Sequence, residues 1–535
     1  MSFYPKINTD RVLWIGTFLV FFCVLGAGIY WISYHPYGDA SDEAYYINQG
    51  IVDYRALVSG DIYQIWGALM YCANDRPFAY RLIALPFTLI FGPTPYVFRA
   101  SSVACFCLTL LFIFLAAKRI YSVRAGLIAT LLFMLSPEVI ASSVRFYMES
   151  STYLALAAML YFLFCFIEQP RPSTLMWVGL GLSTGLGINA KASYPLMVLP
   201  PLLLVFIHSV KKHSLKAALI QFGKPAILAF IIGAPWWILN FRPALMHIRA
   251  ASVFPWCLDG HGLVLVANYA RVFINCVTGP VAGIMIILSL LITAFLFTSK
   301  NIVFEPACRY KVLICLICGL FLIISQIAST NHCLRIATPA MVPIVIASSY
   351  FIVKANKLWK IDFSILTFLV LLVQLGLILS SLRFKNEPLR HFWDTGAGKA
   401  LVLREQWDWK ELYDRLKPCL IAPTIGFQGA ARPMNHSSIA YPWIVNNEKV
   451  TVSDLGKYKE IKSFDVVLEE ALKYDVVVTI ADYPFNSALN FGYRNRFNLQ
   501  LIEALSKNPD YSLSFRFHVG RFKETQLIVF VKNHK

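Results

Sequence analysis

The chain has 535 residues, 57% hydrophobic and 15% charged, with a formal net charge of +18. Soluble globular chains carry about a quarter charged residues, so this composition, with long apolar runs recurring along it, excludes a soluble protein with one anchor and points to a polytopic helical membrane protein. The positive balance does not indicate nucleic acid, because Lys and Arg of the apolar part gather in short loops, where they set topology. Of the 12 cysteines only Cys315 and Cys318 are spaced as CxxC, and they lie within an apolar run, as do Cys105, Cys107 and Cys165, so they read as small core residues and not as a zinc site or a disulfide frame.

The first apolar run, 12–32, lacks a small-residue cleavage site after it and is longer than a signal h-region, so it reads as a retained span. An acidic cluster follows at Gly38–Tyr46, with Asp39, Asp42 and Glu43 inside five positions. Carboxylates this close repel one another, which suggests a metal, a cation or a proton to be moved. The plainer alternative is a solvated loop, with Asp39 as the cap of a helix over 41–50. The segment 79–92 is apolar but short and interrupted by Pro86, and reads as a juxtamembrane or re-entrant helix; 262–279 looks similar.

Further spans are expected near 96–117, 125–143, 151–167, 174–189, 193–208, 218–239, 280–298, 312–328, 336–353 and 361–382, eleven with the first. The basic loops then fall on one side: Lys6 and Arg11; Lys118, Arg119 and Arg124; Lys211, Lys212 and Lys216; Lys300, Arg309 and Lys311; Lys354, Lys357 and Lys360. That side is cytoplasmic if 79–92 does not cross. The loop 33–95 and the C-terminus are then extracytoplasmic.

Composition changes after Leu382. Charged residues become frequent, no run is long enough to span, and strand-like runs at 419–426, 475–482, 513–519 and 525–532 flank helical patterning at Phe464–Lys473. The expected organisation is a membrane domain, 1–382, with an outer loop at 33–95, and an extracytoplasmic α/β domain, 383–535.

The order of features resembles a known group. The outer loop with Asp-Glu and then Tyr is followed by NDRPFAYRLIALPFTLIFG (74–92), YVFRASS (96–102), SPEVIASSVRFYMES (136–150), GLSTGLGINAKASYPLMVLPPLLL (181–204), GAPWWILN (233–240) and HCLRIATPAMVPIVIA (332–347). This ordered set resembles the GT-C class membrane glycosyltransferases, in particular the dolichyl-phosphate-mannose protein mannosyltransferases and the lipid A aminoarabinose transferase. The resemblance covers about residues 1–350 and implies transfer of one sugar, hexosyl or pentosyl, from a polyprenyl-phosphate donor to a lipid, glycan or protein acceptor. It also implies inversion, at the outer face of the membrane; with the C-terminal domain outside and no ER retrieval signal, the expected location is a cell's inner (plasma) membrane.

The resemblance assigns roles residue by residue. Asp42 stands where the group has its general base, with Glu43 as support and Tyr46 nearby. Glu149, in RFYMES, stands where the group usually has Asp; its alternative reading is an ion pair with Arg145, one helical turn earlier. A departing lipid phosphate calls for cations, and the candidates are Arg81, Arg99, Lys191 and Arg335, with His332 as a further donor. At 336 an Ile replaces the aromatic that usually follows this arginine. Arg99 reads equally as a helix-boundary anchor, and Lys191 as a snorkelling cation. Asp39, Asp42 and Glu149 could together hold a divalent cation through oxygen ligands, although the sequence requires no cofactor. No Walker loop, dinucleotide fingerprint or HExxH motif is present.

Two alternatives from other classes stand beside this. Charges within spans also mark transporters or lipid flippases, although those often show internal repeats, which this sequence lacks. The chain could also be a scaffold presenting its C-terminal domain.

Overall fold

The structure, a computed structural model, describes residues 9–35, 41–72, 76–169, 172–252, 261–298, 306–329, 334–359, 362–382, 409–419, 423–428, 436–455, 463–481, 497–519 and 525–533. Contacts divide the chain into two units: Met1–Tyr34 with Ala56–Leu403, and His35–Arg55 with Arg404–Lys535. The division thus differs from the expected boundary at 382/383 in two respects: it falls at 403/404, and part of the first loop joins the second unit. The acid-bearing part of the first loop makes its contacts with the C-terminal unit.

In chain order the helices run α1 (Thr9–Tyr34), α2 (Ser41–Ser59), α3 (Ile62–Tyr71), α4 (Ala79–Phe91), α5 (Pro95–Ile120), α6 (Val123–Met134), α7 (Pro137–Ser143), α8 (Met148–Glu168) and α9 (Thr174–Ile188). They continue with α10 (Tyr194–Lys212), α11 (Leu215–Ser252), α12 (Leu263–Val272), α13 (Pro280–Thr298), α14 (Pro306–Ala328), α15 (Leu334–Ala337), α16 (Met341–Trp359) and α17 (Phe363–Leu379). All eleven expected runs are helical. Among the described residues seven helices are long and apolar enough to cross a membrane: α1, α5, α8, α10, α11, α14 and α16. The helices α4, α9 and α17 are apolar but shorter.

One expected span is broken, and the segment 262–279, expected as juxtamembrane or re-entrant, is bent sharply against the span that follows it. The run 125–143 bends by 72° between α6 and α7, and the run through α12 bends by 119° before α13. Both breaks fall at X-Pro sites, Ser136-Pro137 and Gly279-Pro280. Proline starts a helix well but in its interior removes a backbone hydrogen bond and favours a kink or break, and Gly279 adopts φ +77°, which glycine reaches without strain. The broken ends expose backbone groups where no water can satisfy them. Gln374 of α17, wholly buried, meets the need at both. Its amide donates to the Leu135 and Thr278 carbonyl oxygens (2.6 and 2.8 Å), and its oxygen accepts from Val281 N and Ala282 N (3.1 and 2.9 Å).

Ion pairs identify one end of this bundle. Arg124 pairs with Asp10 and Asp362, and Glu168 with Arg119 and Lys311. These join the starts of α1, α6, α14 and α17 to the ends of α5 and α8. The opposite end gathers the end of α1, the starts of α5 and α8, the α9–α10 loop and α15.

The second unit holds α18 (Trp409–Leu416), β1 (Thr424–Gln428), α19 (His436–Val445), β2 (Thr451–Asp454), α20 (Phe464–Ala471), β3 (Val476–Ala481), α21 (Asn498–Lys507), β4 (Tyr511–Val519) and β5 (Thr525–Lys532). The sheet order is β2-β1-β3-β5-β4, with β2, β1 and β3 parallel and β5 antiparallel to both of its neighbours. Alternate residues of each strand serve opposite faces. Val476, Val478, Leu527 and Val529 pack with α18 and α19, while Val477, Ile528 and Phe530 pack with α20 and α21. The strands read at 475–482, 513–519 and 525–532 form nearly as expected. The first begins later, after Pro423, and β2, a four-residue polar strand, carries no alternation that sequence reading could find.

Candidate active site

Glu149 lies in the first turn of α8, where the helix dipole favours an anion. Its side chain is 1% exposed, and a single oxygen, Oε1, meets two cations: Lys191 Nζ at 3.1 Å and Arg335 Nε at 3.3 Å. Its second oxygen, Oε2, is buried without a hydrogen-bond partner among the described residues. A buried carboxylate is stable when paired, and an oxygen left over in such a place is free to accept from a ligand.

Each partner is held by its own elements. Lys191 sits in the tight α9–α10 loop, where Ala190 N and Lys191 N donate to Gly187 O. Gly187 is required there, because a Cβ would come within 2.0 Å of the buried Tyr194 ring. The loop is tied on both sides: Ala79 N donates to Asn189 O (2.7 Å), Asn189 Nδ2 to Ile232 O (2.7 Å), and Trp237 Nε1 to Ile188 O (3.1 Å). Arg335 stacks over the Tyr147 ring, 4.4 Å from its centroid. Thr338 Oγ1 donates to Arg335 O (2.7 Å) and is also hydrogen-bonded to the Tyr153 hydroxyl of α8.

The other expected cations of this unit lie at the same end in different roles. Arg99 and Arg145 both lie over the buried Trp31 ring, 5.2 and 4.4 Å from its centroid. Arg145 also donates to Ala141 O (2.7 Å) and precedes α8, so it shares no helical face with Glu149. The pairing weighed between those two gives way to the Lys191–Glu149–Arg335 cluster. Arg81 is wholly buried and donates to Leu69 O at 3.4 Å.

Asp42, Glu43 and Tyr46 belong to the second unit. The two acids occupy the first turn of α2, again at a favourable helix end. Glu43 and Tyr46 are buried and Asp42 is partly exposed. His332 and Asp39 lie outside the described residues. Among the described residues no three His, Cys, Asp or Glu side chains are grouped to hold a metal ion. Sequence reading missed Trp31, Tyr147, Tyr153 and Thr338. Only Trp31 carried a signal, as an aromatic at the end of a span.

A groove of about 480 Å³ lies beside the Lys191 loop. It is lined by apolar side chains of α9, α10 and α11, among them Ile188, Pro195, Phe230, Trp237 and Phe241. Ile188 and Pro195 bracket the loop that carries Lys191.

Residues 75–239 match the family model described as dolichyl-phosphate-mannose-protein mannosyltransferase. No curated protein matches the sequence. Among solved structures the chain is similar to ArnT from Cupriavidus metallidurans in the apo state, with TM-score 0.57 and 14% identity over 96% of this chain and 97% of that one. The same protein bound to undecaprenyl phosphate matches with TM-score 0.56 and 12% identity over 96% and 98%. The Archaeoglobus fulgidus oligosaccharyltransferase in complex with Zn and sulfate matches with TM-score 0.50 and 12% identity over 90% and 71%. At these identities the likeness is one of fold, shared with ArnT and with the oligosaccharyltransferase.

Proposed function

We propose that this GT-C-fold protein is a membrane glycosyltransferase that moves a sugar, with inversion, from a polyprenyl-phosphate-linked donor to a lipid, glycan or protein acceptor. The observation that carries the reading is the Lys191–Glu149–Arg335 cluster beside an apolar groove. Two cations and one carboxylate leave the cluster one net positive charge, matched to the single charge of a phosphodiester. Guanidinium and ammonium groups stabilise the departing lipid phosphate as charge builds on it. The groove offers an apolar bed for the lipid chain. The ArnT crystal structure with undecaprenyl phosphate and the mannosyltransferase segment at 75–239 support a lipid-phosphate donor.

In this reading Asp42 accepts the proton of the acceptor hydroxyl, Glu43 supports it, and Glu149 Oε2 accepts from a hydroxyl of the sugar or the acceptor. The new glycosidic bond forms as the anomeric carbon–phosphate oxygen bond breaks, with the electron pair leaving on the lipid phosphate. Arg81, Arg99, Tyr46 and His332 stand as further binding groups. The basic end of the bundle, with Arg119, Arg124 and Lys311, faces the cytoplasm. The reaction and the α/β unit then lie on the extracytoplasmic side of the inner membrane.

The test is mass spectrometry of envelope glycolipids and glycoproteins from cells carrying the intact gene, no gene, or Asp42→Asn. The expected result is a sugar modification lost without the gene and lost again with Asp42→Asn at unchanged protein level. Full modification by that variant removes Asp42 as base. Purified protein that consumes no polyprenyl-phosphate sugar in detergent, yet moves lipid across vesicles, makes it a transporter.

A further inference from the structure

The second unit contains a contact that the chemistry above leaves unused. Residues 41–55 of α2 lie with the α/β unit, and two side chains tie them to α19. Asn48 Nδ2 donates to Ser437 O (2.9 Å), in the first turn of α19. Arg55 Nη2 donates to Ile444 O and to Val445 O, the latter at 3.1 Å. Those are the last carbonyls of α19, which have no partner within their own helix and at which the dipole favours a cation.

The two ties are seven residues apart on both helices, so α2 and α19 run parallel for about 10 Å. Fixing a helix at two points a turn or more apart sets its rotation as well as its tilt. Asp42 and Glu43 then follow within two turns of Asn48. The support behind α19 is stiff, since Ile439 and Trp443 are wholly buried in the core over β1 and β3, and Trp443 meets the Tyr413 ring edge-on at 5.0 Å. By contrast α2 has Gly50 in its middle and a polar sequence, and a helix of 19 residues with such content is marginal alone.

We infer that the α/β unit serves as the fixed support of the acid-bearing helix, with Asn48 and Arg55 as positioning residues for Asp42 and Glu43. The inference rests on the role proposed for those acids. It gives the C-terminal unit a part in the reaction without a ligand of its own. A displacement of a reacting group by 1 Å costs on the order of 100-fold in rate, so a base carried on a weak helix needs such an anchor.

The test uses full-length protein in detergent and two readouts. Hydrogen–deuterium exchange is measured for Arg55→Met, Arg55→Lys and Asn48→Leu. Uptake over 41–52 is expected to rise in Arg55→Met and Asn48→Leu, to stay near the parent in Arg55→Lys, and to be unchanged in α8 and α16. The rate–pH profile of the Asp42-dependent modification is then compared. Arg55→Met is expected to lower the rate by about 10- to 100-fold and to move the acidic limb of the profile, and Arg55→Lys to restore both, since an ammonium also caps carbonyls. Unchanged uptake over 41–52 overturns the inference, and so does a lower rate with the acidic limb unmoved. If Asp42→Asn keeps full activity while Arg55→Met still loosens 41–52, the anchor stands and the assignment of the base fails.

Discussion

Replacing Glu149 by Gln tests the cluster most directly. At 3.1 and 3.3 Å each cation attracts the carboxylate by roughly 5 kcal/mol at an effective dielectric constant of about 20. Desolvation offsets much of that, and breaking a buried pair by removing one partner costs about 3–5 kcal/mol, because the remaining charge stays buried. The Glu149 side chain is 1% exposed and that of Lys191 10%, whereas Arg335 is 20% exposed and keeps some access to water. The lower end, about 3 kcal/mol, is therefore expected. The amide keeps the shape of the acid but replaces one acceptor oxygen with a donor NH2, so the loss reports charge and that acceptor, not volume. The assay is thermal unfolding of the purified full-length protein followed by intrinsic fluorescence, at one fixed scan rate because unfolding of a large membrane protein is a kinetic event. A fall of several degrees is expected, with a smaller fall when Lys191→Met is already present, since contacting residues are not additive. A melting point within about 1 °C of the parent would refute the claim that the three charges hold this end of the bundle together.

Other outcomes follow from the same geometry. Gln374→Leu leaves two carbonyls and two N–H groups unpaired at the two bends, each worth about 1–3 kcal/mol. It should therefore lower the yield of folded protein sharply on size-exclusion chromatography, and a normal elution profile at normal yield would count against the role given to this side chain. Trp31→Ala removes the ring shared by Arg99 and Arg145 and should cost about 3–5 kcal/mol as a large core truncation, read as a lower melting point, with Trp31→Phe recovering part. Tyr511→Phe removes the hydroxyl that donates to Tyr474 O at 2.6 Å and should destabilise the α/β unit by about 1 kcal/mol. Burial, with Asp475 and Asp510 nearby, pushes the Tyr511 phenol up to about 12. A raised phenol favours the neutral form in the folded state, so its contribution is complete below about pH 10, the unfolded value. It fades as pH rises through 12, and the difference between parent and Tyr511→Phe melting points should shrink over that window.

Much of the membrane part was legible in the sequence because hydropathy and helix punctuation are local properties. Each apolar run became a helix, and the short, Pro86-interrupted segment 79–92 became a helix too short to cross, α4. The breaks at Ser136-Pro137 and Gly279-Pro280 were written in the sequence as turn chemistry, yet 125–143 still read as one continuous span, because average hydropathy does not register a bend. In the α/β unit, strands with β-branched alternation such as β3 and β5 were visible, and β2 was not, since a short polar strand exists only through its pairing with β1.

The site divides along the same line. The family resemblance marked Glu149, and charge at the outer end of an apolar run marked Lys191 and Arg335 as candidates, at a place where a charge costs least. Only the fold decided that both cations meet one oxygen of Glu149, that Arg145 turns to Trp31, and that the helix carrying Asp42 leans on α19 through Asn48 and Arg55. The physical reason is one of range. Burial of an apolar run depends on that run alone, whereas the pairing of a buried charge depends on which distant helix end packing brings within hydrogen-bond reach.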